Sequence, residues 1–366
     1  MSRAKEQSAE RVRSATRMTN QPTRFSVLDL APIGAGFTAS DALRNSRDLV
    51  TLAERLGYHR HWVAEHHNMP GIASSSPAVL IEHLASATSS IRVGSGGVML
   101  PNHAPLVVAE QFGMLEALHP GRIDLGIGRA PGTDPTTAMA LRRAAMSLSA
   151  EEFPEELGAL VAFFEGAFPD RHPFARITAV PGCGNRPAMW LLGSSDYSAR
   201  LAGRLGWPFS FAHHFAAANT LPALAAYRRE FRPSPHLDAP YAMVAATVVC
   251  APTDDEARWL AASGKLAFLR LRSGRPGPFP TPEEAAEYQY TPSEREFVNG
   301  WTSSHIVGSP STVRAGLEEL RSRTQADEMM ITTMVHGHAQ RLRSYDLVAD
   351  AMGISPRDAV GASDTG

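Results

Sequence analysis

The fold of this chain is decided by three short segments, which read Trp62-Val-Ala-Glu-His-His-Asn68, Ile91-Arg-Val-Gly-Ser-Gly-Gly-Val98 and Gly121-Arg-Ile-Asp-Leu-Gly-Ile-Gly-Arg129. Each is an apolar run that ends abruptly in polar, charged or glycine residues. Runs of this kind are typical of strands buried on both faces of a parallel sheet. Helical stretches separate them, so the strands end at the same edge of the sheet. We therefore expect one pocket at their carboxyl ends.

The alternation of strand and helix continues along the rest of the chain. Strands are predicted at 25–31, 59–66, 91–100, 122–129, 189–193, 208–213, 241–251 and 328–335. Helices are predicted at 40–56, 77–87, 105–118, 136–168, 195–205, 215–231, 254–271 and 311–323. Eight strands with helices between them favour a single (β/α)8 TIM barrel over residues 25–352, with an open doubly wound sheet as the alternative.

Residues 272–302 interrupt this pattern. The segment holds five prolines and three glycines and shows no clean helical or strand period. A long irregular connection inside a compact barrel is usually a functional lid or a disordered loop. Because it follows the seventh predicted strand, we expect a mobile lid over the mouth of the barrel.

Bulk composition narrows the functional classes. A hydrophobic content of 43%, a charged content of 20% and a formal net charge of −2 favour neither a nucleic-acid nor an anionic-membrane partner. Two cysteines, Cys183 and Cys250, cannot build a disulfide framework, and no apolar run is long enough to cross a membrane. Residues 1–24 are predicted to be a disordered tail, with Met18 as an alternative start, and 353–366 a second tail. We expect a cytoplasmic protein.

Two features on adjacent strands suggest an anion site. Arg129 ends the fourth predicted strand and is followed by Ala130, so its guanidinium suits a phosphate, although a structural ion pair at the barrel rim fits equally well. Ser194, Ser195 and Ser198 lie where the fifth strand turns into a helix, and free N–H groups and hydroxyls at a helix N-terminus bind anions. A plain serine N-cap is the simpler interpretation. Together the two features could hold one phosphate from two sides.

Glycines and histidines also mark the strand ends. Gly96-Gly97 inside an apolar strand indicates a bulge, a close backbone approach to a ligand, or dense core packing. The pairs His66-His67 and His213-His214 suggest a metal, but adjacent residues on a strand face opposite ways, so at most one of each pair points inward. No H-x-H closes a predicted strand, as metallohydrolase barrels require, so no metal is predicted. A rim histidine suits hydrogen bonding or proton transfer.

Taken together, these motifs resemble those of the bacterial luciferase-like flavin monooxygenases, in particular a single-chain, non-luminescent branch, from Phe25 to about Met352. The resemblance rests on the run from Trp62 to Ala73, on Pro101-Asn-His-Ala-Pro105, on His119-Pro-Gly-Arg122, on Arg129-Ala-Pro-Gly-Thr-Asp134 and on the Ser194-Ser195 turn. It implies a TIM barrel that binds reduced FMN, delivered by a separate flavin reductase, and reacts it with O2. It also implies a homodimer.

The resemblance implies a role for each matching residue. Arg129, with its neighbour Ala130, and Ser194, Ser195 and Ser198 match phosphate contacts. Gly96-Gly97 matches a non-proline cis peptide beneath the isoalloxazine ring. His66 matches the luciferase active-site histidine, a candidate acid or base, and His67 is expected to be structural. His213 and His214 are expected to contact the substrate or the flavin edge.

Departures from the luciferase pattern limit the functional hypothesis. Gly128 stands where luciferase has a reactive cysteine, Ser194 stands where it has a phosphate-site glutamate, and the second luciferase subunit has no counterpart here. The leading hypothesis is an FMN-dependent monooxygenase acting on a small organic substrate. The alternatives are a deazaflavin-dependent dehydrogenase, a flavin-binding protein without catalysis, and a metal-dependent barrel hydrolase.

Overall fold

Apolar strands close a barrel in the part of the chain that the computed structural model describes, residues 23–130, 132–142 and 152–356. The strands are β1 (Arg24–Asp29), β2 (Arg60–Val63), β3 (Arg92–Met99), β4 (Ile123–Gly128), β5 (Ala188–Gly193), β6 (Phe209–Phe211), β7 (Ala242–Cys250), β8 (Ile306–Gly308) and β9 (Glu328–Thr332). All their pairings are parallel. Strands β1 to β7 and β9 form a closed ring, because β6 pairs with β7 and β9 pairs with both β7 and β1. The predicted TIM barrel is therefore confirmed, and the open sheet is excluded.

Helices surround the ring. They are α1 (Ala39–Leu56), α2 (Pro77–Ala85), α3 (Pro105–Leu118), α4 (Pro135–Arg142), α5 (Phe153–Glu165), α6 (Asp196–Leu205), α7 (His213–Ala216), α8 (Thr220–Glu230), α9 (Asp254–Arg272), α10 (Pro282–Glu287), α11 (Pro292–Thr302), α12 (Pro310–Thr324) and α13 (His338–Met352). No helix in the described ranges is long and apolar enough to cross a membrane.

Local sequence signals explain where α1 begins and ends. The Thr38 side chain accepts from the backbone N–H of Asp41, and the Asp41 carboxylate accepts from that of Thr38, which makes a capping box. Gly57 ends the helix at φ 92°, in the left-handed region that glycine adopts without a steric penalty. Between these caps the helix buries one face against the barrel.

The predicted lid is more regular than expected. Its segment contains α10 and α11, so the prediction of an irregular connection over 272–302 is wrong in this respect. Pro282 and Pro292 are the first residues of the two helices, where the missing N–H costs nothing, and Thr281 and Thr291 cap them. Two of the five prolines in this segment therefore start helices rather than interrupt them.

Other boundaries also differ from the predictions. The helix expected at 136–168 is two helices, α4 and α5, and the residues between them lie partly outside the described ranges. Strand β8 was not predicted; it pairs with the carboxyl end of β7, outside the ring. Arg24, placed in the predicted tail, begins β1. Residues 1–22 and 357–366 lie outside the description, and within 353–356 the Ile354 N–H donates to the Ala349 carbonyl.

Alternating strand residues divide the core into two layers. Those facing outward pack against the helices and form the larger cluster, which includes Val27, Val93 and Leu125. Those facing inward form a smaller cluster with Trp62 and Trp190, whose rings meet edge to face at 5.1 Å. This alternation fills the interior of the barrel below the carboxyl ends of its strands.

Charged residues close the amino end of the barrel. Arg60, the first residue of β2, donates to Asp124 at 2.6 Å and to both carboxylate oxygens of Glu328 at 2.7 and 3.1 Å. Arg92 donates to Asp124 at 2.7 Å, and Tyr241 donates to Glu328 at 2.9 Å. Burial alone would raise the pKa of Asp124, but Arg60 and Arg92 outweigh it and hold the pKa below its usual value.

Candidate active site

A cavity of about 1250 Å³ opens at the carboxyl ends of the strands. Residues at or beyond the ends of β2, β3, β4, β5, β6, β7 and β9 line it, together with residues of α9, α11 and the chain around Phe279. Pockets for a single small molecule usually hold about 300–1000 Å³. The cavity therefore has room for a cofactor together with a substrate.

One end of the cavity carries the residues predicted to bind phosphate. Arg129, Ala130, Ser194, Ser195 and Ser198 all line the wall where β4 and β5 end. Ser195 is the N-cap of α6, yet its side chain makes no capping hydrogen bond. The hydroxyl is therefore not occupied by its own helix, contrary to the plain N-cap interpretation.

Arg129 packs against the first turn of this helix. Its guanidinium lies 4.2 Å from the centroid of the Tyr197 ring, in the first turn of α6. Among the described residues, no carboxylate forms an ion pair with it. The alternative of a structural ion pair at the rim is not found there, and the cation faces the cavity beside the three serines.

Gly96 lines the cavity and is joined to Gly97 by a cis peptide bond, as the resemblance implied. A Cβ on Gly97 would lie 2.7 Å from the carbonyl oxygen of Gly126, and a Cβ on Gly96 would lie 2.8 Å from Leu28 Cδ1. Both neighbours are too close for a side chain. Dense packing against neighbouring strands and the register shift between Gly96 and Val98 therefore account for the glycines, and a position beneath a flavin ring stays a prediction.

His66 lies in the cavity wall just beyond β2. Burial lowers the pKa of its imidazole, so the ring is neutral at neutral pH. Its buried Nδ1 has no hydrogen-bond partner within the described part of the chain. His67 points elsewhere and lies 2.9 Å from Glu65, in agreement with its expected structural role.

The second histidine pair separates. His214 lines the cavity, with Nδ1 3.2 Å from the Ala245 carbonyl oxygen, and burial lowers its pKa to about 4. His213 lies outside the lining and contacts Thr220 Oγ1 at 2.8 Å. One member of each histidine pair therefore faces the cavity. His213 and His214 do not separate by strand alternation, because β6 ends before them. They lie in the short helix α7, where successive side chains also point in different directions.

The lid side of the cavity is mainly aromatic. Phe268 of α9 stacks on Trp301 of α11 with ring centroids 3.8 Å apart, and Phe297 lies 5.7 Å from Phe268. Phe279 forms a parallel bridge with Gly34, which ties the lid to the chain after β1. The two ends of the cavity thus differ: Arg129 and three serines line one, whereas aromatic rings, interspersed with Lys265, Arg272 and Glu296, line the other.

One residue of the cavity lining, His305, and one residue beside the cavity, Glu65, were not among the predicted site residues. His305, at the end of the lid segment, lines the cavity, and burial lowers its pKa to about 4. Glu65, at the end of β2, is fully buried and accepts hydrogen bonds from several residues. For Glu65, the only sequence signal was a carboxylate directly after an apolar run. No sequence signal pointed to His305.

A metal centre finds no support in the geometry. Within residues 23–130, 132–142 and 152–356, no group of three or more histidine, cysteine, aspartate or glutamate side chains is arranged to hold a metal ion. The site combines a guanidinium beside three serines, two glycines joined by a cis peptide bond, and neutral imidazoles.

Comparison with known proteins identifies the class to which this barrel belongs. The model of the luciferase-like monooxygenase family matches residues 23–327, so the chain is a member of that family. It is 48% identical over 333 residues to a luciferase-like monooxygenase of Escherichia coli (strain K12), covering 91% of this chain and 98% of the relative. It is 36% identical over 329 residues to the N-acetyl-S-alkylcysteine monooxygenase of Bacillus subtilis (strain 168), covering 90% and 98%.

Solved structures agree with the assignment. The structure of apo-MsnO8 superimposes with a TM-score of 0.80 at 38% identity, covering 92% of this chain and all of that one. At the level of fold alone, the oxygenating component of 3,6-diketocamphane monooxygenase with FMN has a TM-score of 0.69 at 18% identity, covering 92% and 99%. An F420-dependent secondary alcohol dehydrogenase has a TM-score of 0.62 at 14% identity, covering 92% and 100%. The fold therefore serves both flavin and deazaflavin chemistry.

Proposed function

We propose that this protein is an FMN-dependent monooxygenase that uses reduced FMN and O2 to oxidise a small organic substrate. The observation that carries the proposal is the polarity of the cavity, with Arg129 and three serines at one end and an aromatic lid at the other. A flavin mononucleotide has the matching shape, with a dianionic phosphate at one end and a planar apolar ring at the other. The N-acetyl-S-alkylcysteine monooxygenase relative supports oxygenation.

The residues present fit the phosphate of FMN. Arg129 supplies a planar guanidinium without a carboxylate partner among the described residues, and the N-terminus of α6 supplies backbone N–H groups and the Ser195 hydroxyl. These donors would fix the phosphate and therefore the direction in which the ring enters. Gly96 and Gly97 would form the base on which the ring rests.

Bound reduced FMN would supply the electrons that activate O2. Around it, His66 would act as an acid or base, because a neutral imidazole at neutral pH can accept a proton from the substrate and return it. His214, also neutral, is the second candidate for a hydrogen bond to the substrate or the ring. The aromatic lid would exclude water from the reacting atoms.

A deazaflavin-dependent dehydrogenase is the second candidate, because an F420-dependent enzyme shares the fold. The two are separated by titrating the protein with reduced FMN and with a reduced deazaflavin cofactor. We expect tighter binding of reduced FMN, and preference for the deazaflavin would contradict the proposal.

Formation of an oxygenated product tests for catalysis. With reduced FMN supplied by a flavin reductase, we expect a substrate from a panel of small thioethers, ketones and aldehydes to yield an oxygenated product. The no-substrate control should yield none. Binding of FMN without any product would favour the non-catalytic flavin-binding alternative, and metal analysis of the purified protein tests the hydrolase alternative.

The partner assignments are also proposals. A separate reductase would deliver reduced FMN through a transient contact. The outer faces of α2 and α3 expose Val79, Val107, Met114 and Leu118 by 70%, 43%, 52% and 59%, which supports a homodimer through this surface. Sedimentation of the protein and of a Met114→Glu variant tests it, since only the variant should be monomeric. A cytoplasmic location stays a prediction.

A further inference from the structure

Glu65 is a buried carboxylate that joins two strand ends beside the cavity. It is the second residue after β2 and has no exposed surface. Its Oε2 accepts from the backbone N–H of Met99 at 2.9 Å, at the end of β3. Its Oε1 lies 2.9 Å from His67 Nε2 and 2.9 Å from His103 Nε2, and accepts from Asn102 Nδ2 at 3.2 Å. One side chain therefore connects the chain after β2 to the chain after β3.

These contacts keep the carboxylate ionised. Burial alone would raise the pKa of Glu65, but hydrogen bonds from His103, His67 and the Met99 backbone outweigh it and hold the pKa below its usual value. A buried anion with several donors fixes their positions, because moving any donor away leaves charge without compensation. The carboxylate is thus suited to fixing geometry.

Glu65 holds in place two segments that line the proposed cofactor site, the chain at His66 and the end of β3. His66 is the next residue along the chain and lines the cavity, and its backbone N–H donates to the Ser74 carbonyl at 3.0 Å. Met99 also lines the cavity and ends the strand that contains Gly96. Glu65 itself is absent from the cavity lining, so it acts on a ligand only through these neighbours.

We propose that Glu65 is a positioning residue, whose carboxylate holds His66 and the end of β3 in the arrangement that receives the isoalloxazine ring. The proposal rests on the proposed function and adds a role that concerns the ring end of the flavin rather than its phosphate. The distinction is measurable, because riboflavin carries the ring without the phosphate.

The test is Glu65→Gln, which keeps the size of the side chain but turns one acceptor oxygen into an N–H donor facing other donors. Dissociation constants of oxidised FMN and riboflavin are measured by quenching of flavin fluorescence. We expect both flavins to bind about tenfold more weakly, because one charge-assisted hydrogen bond is lost at the ring end. Hydrogen exchange should also quicken in peptides that cover 65–68 and 97–103.

Glu328→Gln is the matched control. Glu328 is a carboxylate with no exposed surface and several donors, at the opposite end of the barrel. Both variants should lower the melting temperature, and only Glu65→Gln should weaken flavin binding. If Glu65→Gln melts earlier but binds both flavins as the wild type does, its role is structural and the proposal is overturned.

A milder variant covers the case in which Glu65→Gln does not fold. His103→Ala removes one donor whose side chain is 28% exposed, and it should weaken both flavins equally, by about threefold. Unchanged binding in a folded His103→Ala protein would argue against the proposal. A wild-type protein that binds neither flavin overturns the proposed function and this proposal together, whereas tight wild-type binding with unchanged variants overturns this proposal alone.

Discussion

The two ends of the barrel differ in how completely their polar side chains are paired. At the amino end, Arg60, Asp124 and Glu328 are buried together, and their charges are paired by short hydrogen bonds. At the carboxyl end, Arg129 has no carboxylate partner among the described residues, and His66 is kept neutral. The amino end is thus electrostatically closed. The carboxyl end combines a paired buried carboxylate, Glu65, with polar groups that are available to a ligand, Arg129 and His66.

The difference separates stability from function. Removing one partner of a buried ion pair lowers stability strongly, because the remaining charge is left buried without compensation. A polar group at the mouth of a barrel without a protein partner contributes little to stability but is ready for a ligand. Substitutions at the two ends should therefore have separable effects, and each prediction below tests that separation.

The largest effect is expected from Arg60→Met. The substitution leaves Asp124 and Glu328 buried with fewer partners and should lower the free energy of unfolding by about 3–5 kcal/mol. Urea denaturation measures the change. Arg314→Met, which breaks an exposed ion pair with Glu318, is the control and should cost less than about 0.5 kcal/mol. Equal effects would mean that the closed end does not stabilise the barrel.

Arg129→Ala should weaken ligand binding and leave stability nearly unchanged, the reverse of Arg60→Met. We expect FMN binding to weaken by about 1.5–3 kcal/mol, or on the order of tenfold to 150-fold, while riboflavin is almost unaffected and the free energy of unfolding barely changes. Fluorescence titrations give both affinities. Arg204→Ala, at the far end of α6 where the side chain is 58% exposed, serves as control and should leave FMN binding unchanged. Equal weakening of both flavins would show that Arg129 does not bind the phosphate.

The neutral histidines at the open end predict a pH dependence of stability. Burial lowers the pKa of His214 and of His305 from 6.5 to about 4, so the unfolded chain binds more protons between those values. The contribution of these two histidines to the free energy of unfolding should therefore be fully present above pH 6.5. It should be lost toward pH 4, by at most about 1.4 kcal/mol per pH unit for each histidine. In the double variant His214→Asn, His305→Asn, the free energy of unfolding from urea denaturation should change less steeply with pH. An unchanged slope would mean that these rings titrate normally in the folded protein.

The open end was the part that the sequence predicted best. Arg129, Ser194 and His66 each follow a buried apolar run, and the ends of parallel strands converge whatever the helices between them do. Their convergence on one cavity follows from strand positions alone. The roles given to them by resemblance stay predictions until a ligand is bound.

Features that depend on packing between distant segments could not be predicted. Apart from His67, the partners of Glu65 lie 34 to 38 residues farther along the chain, at the end of β3 and just after it, where no local pattern specifies the geometry. His305 enters the cavity because α11 folds back over α9, and the prolines of that segment concealed the helix. The split of His213 and His214 depends on where β6 ends, and single-residue boundaries are the weakest part of any sequence pattern.

The smallest effect tests whether the lid belongs to the stable barrel or to the open end. Thr291 and Glu294 make a capping box at α11, and Thr38 and Asp41 make the same motif at α1. Each Thr→Ala change should cost about 1 kcal/mol of helix stability. Because α1 buries six residues and α11 buries only Val298, Thr38→Ala should lower the global free energy of unfolding. Thr291→Ala should instead quicken hydrogen exchange of 292–302 and leave global unfolding almost unchanged. Equal losses in urea denaturation would show that the lid unfolds with the barrel, and that the open end is as cooperative as the closed one.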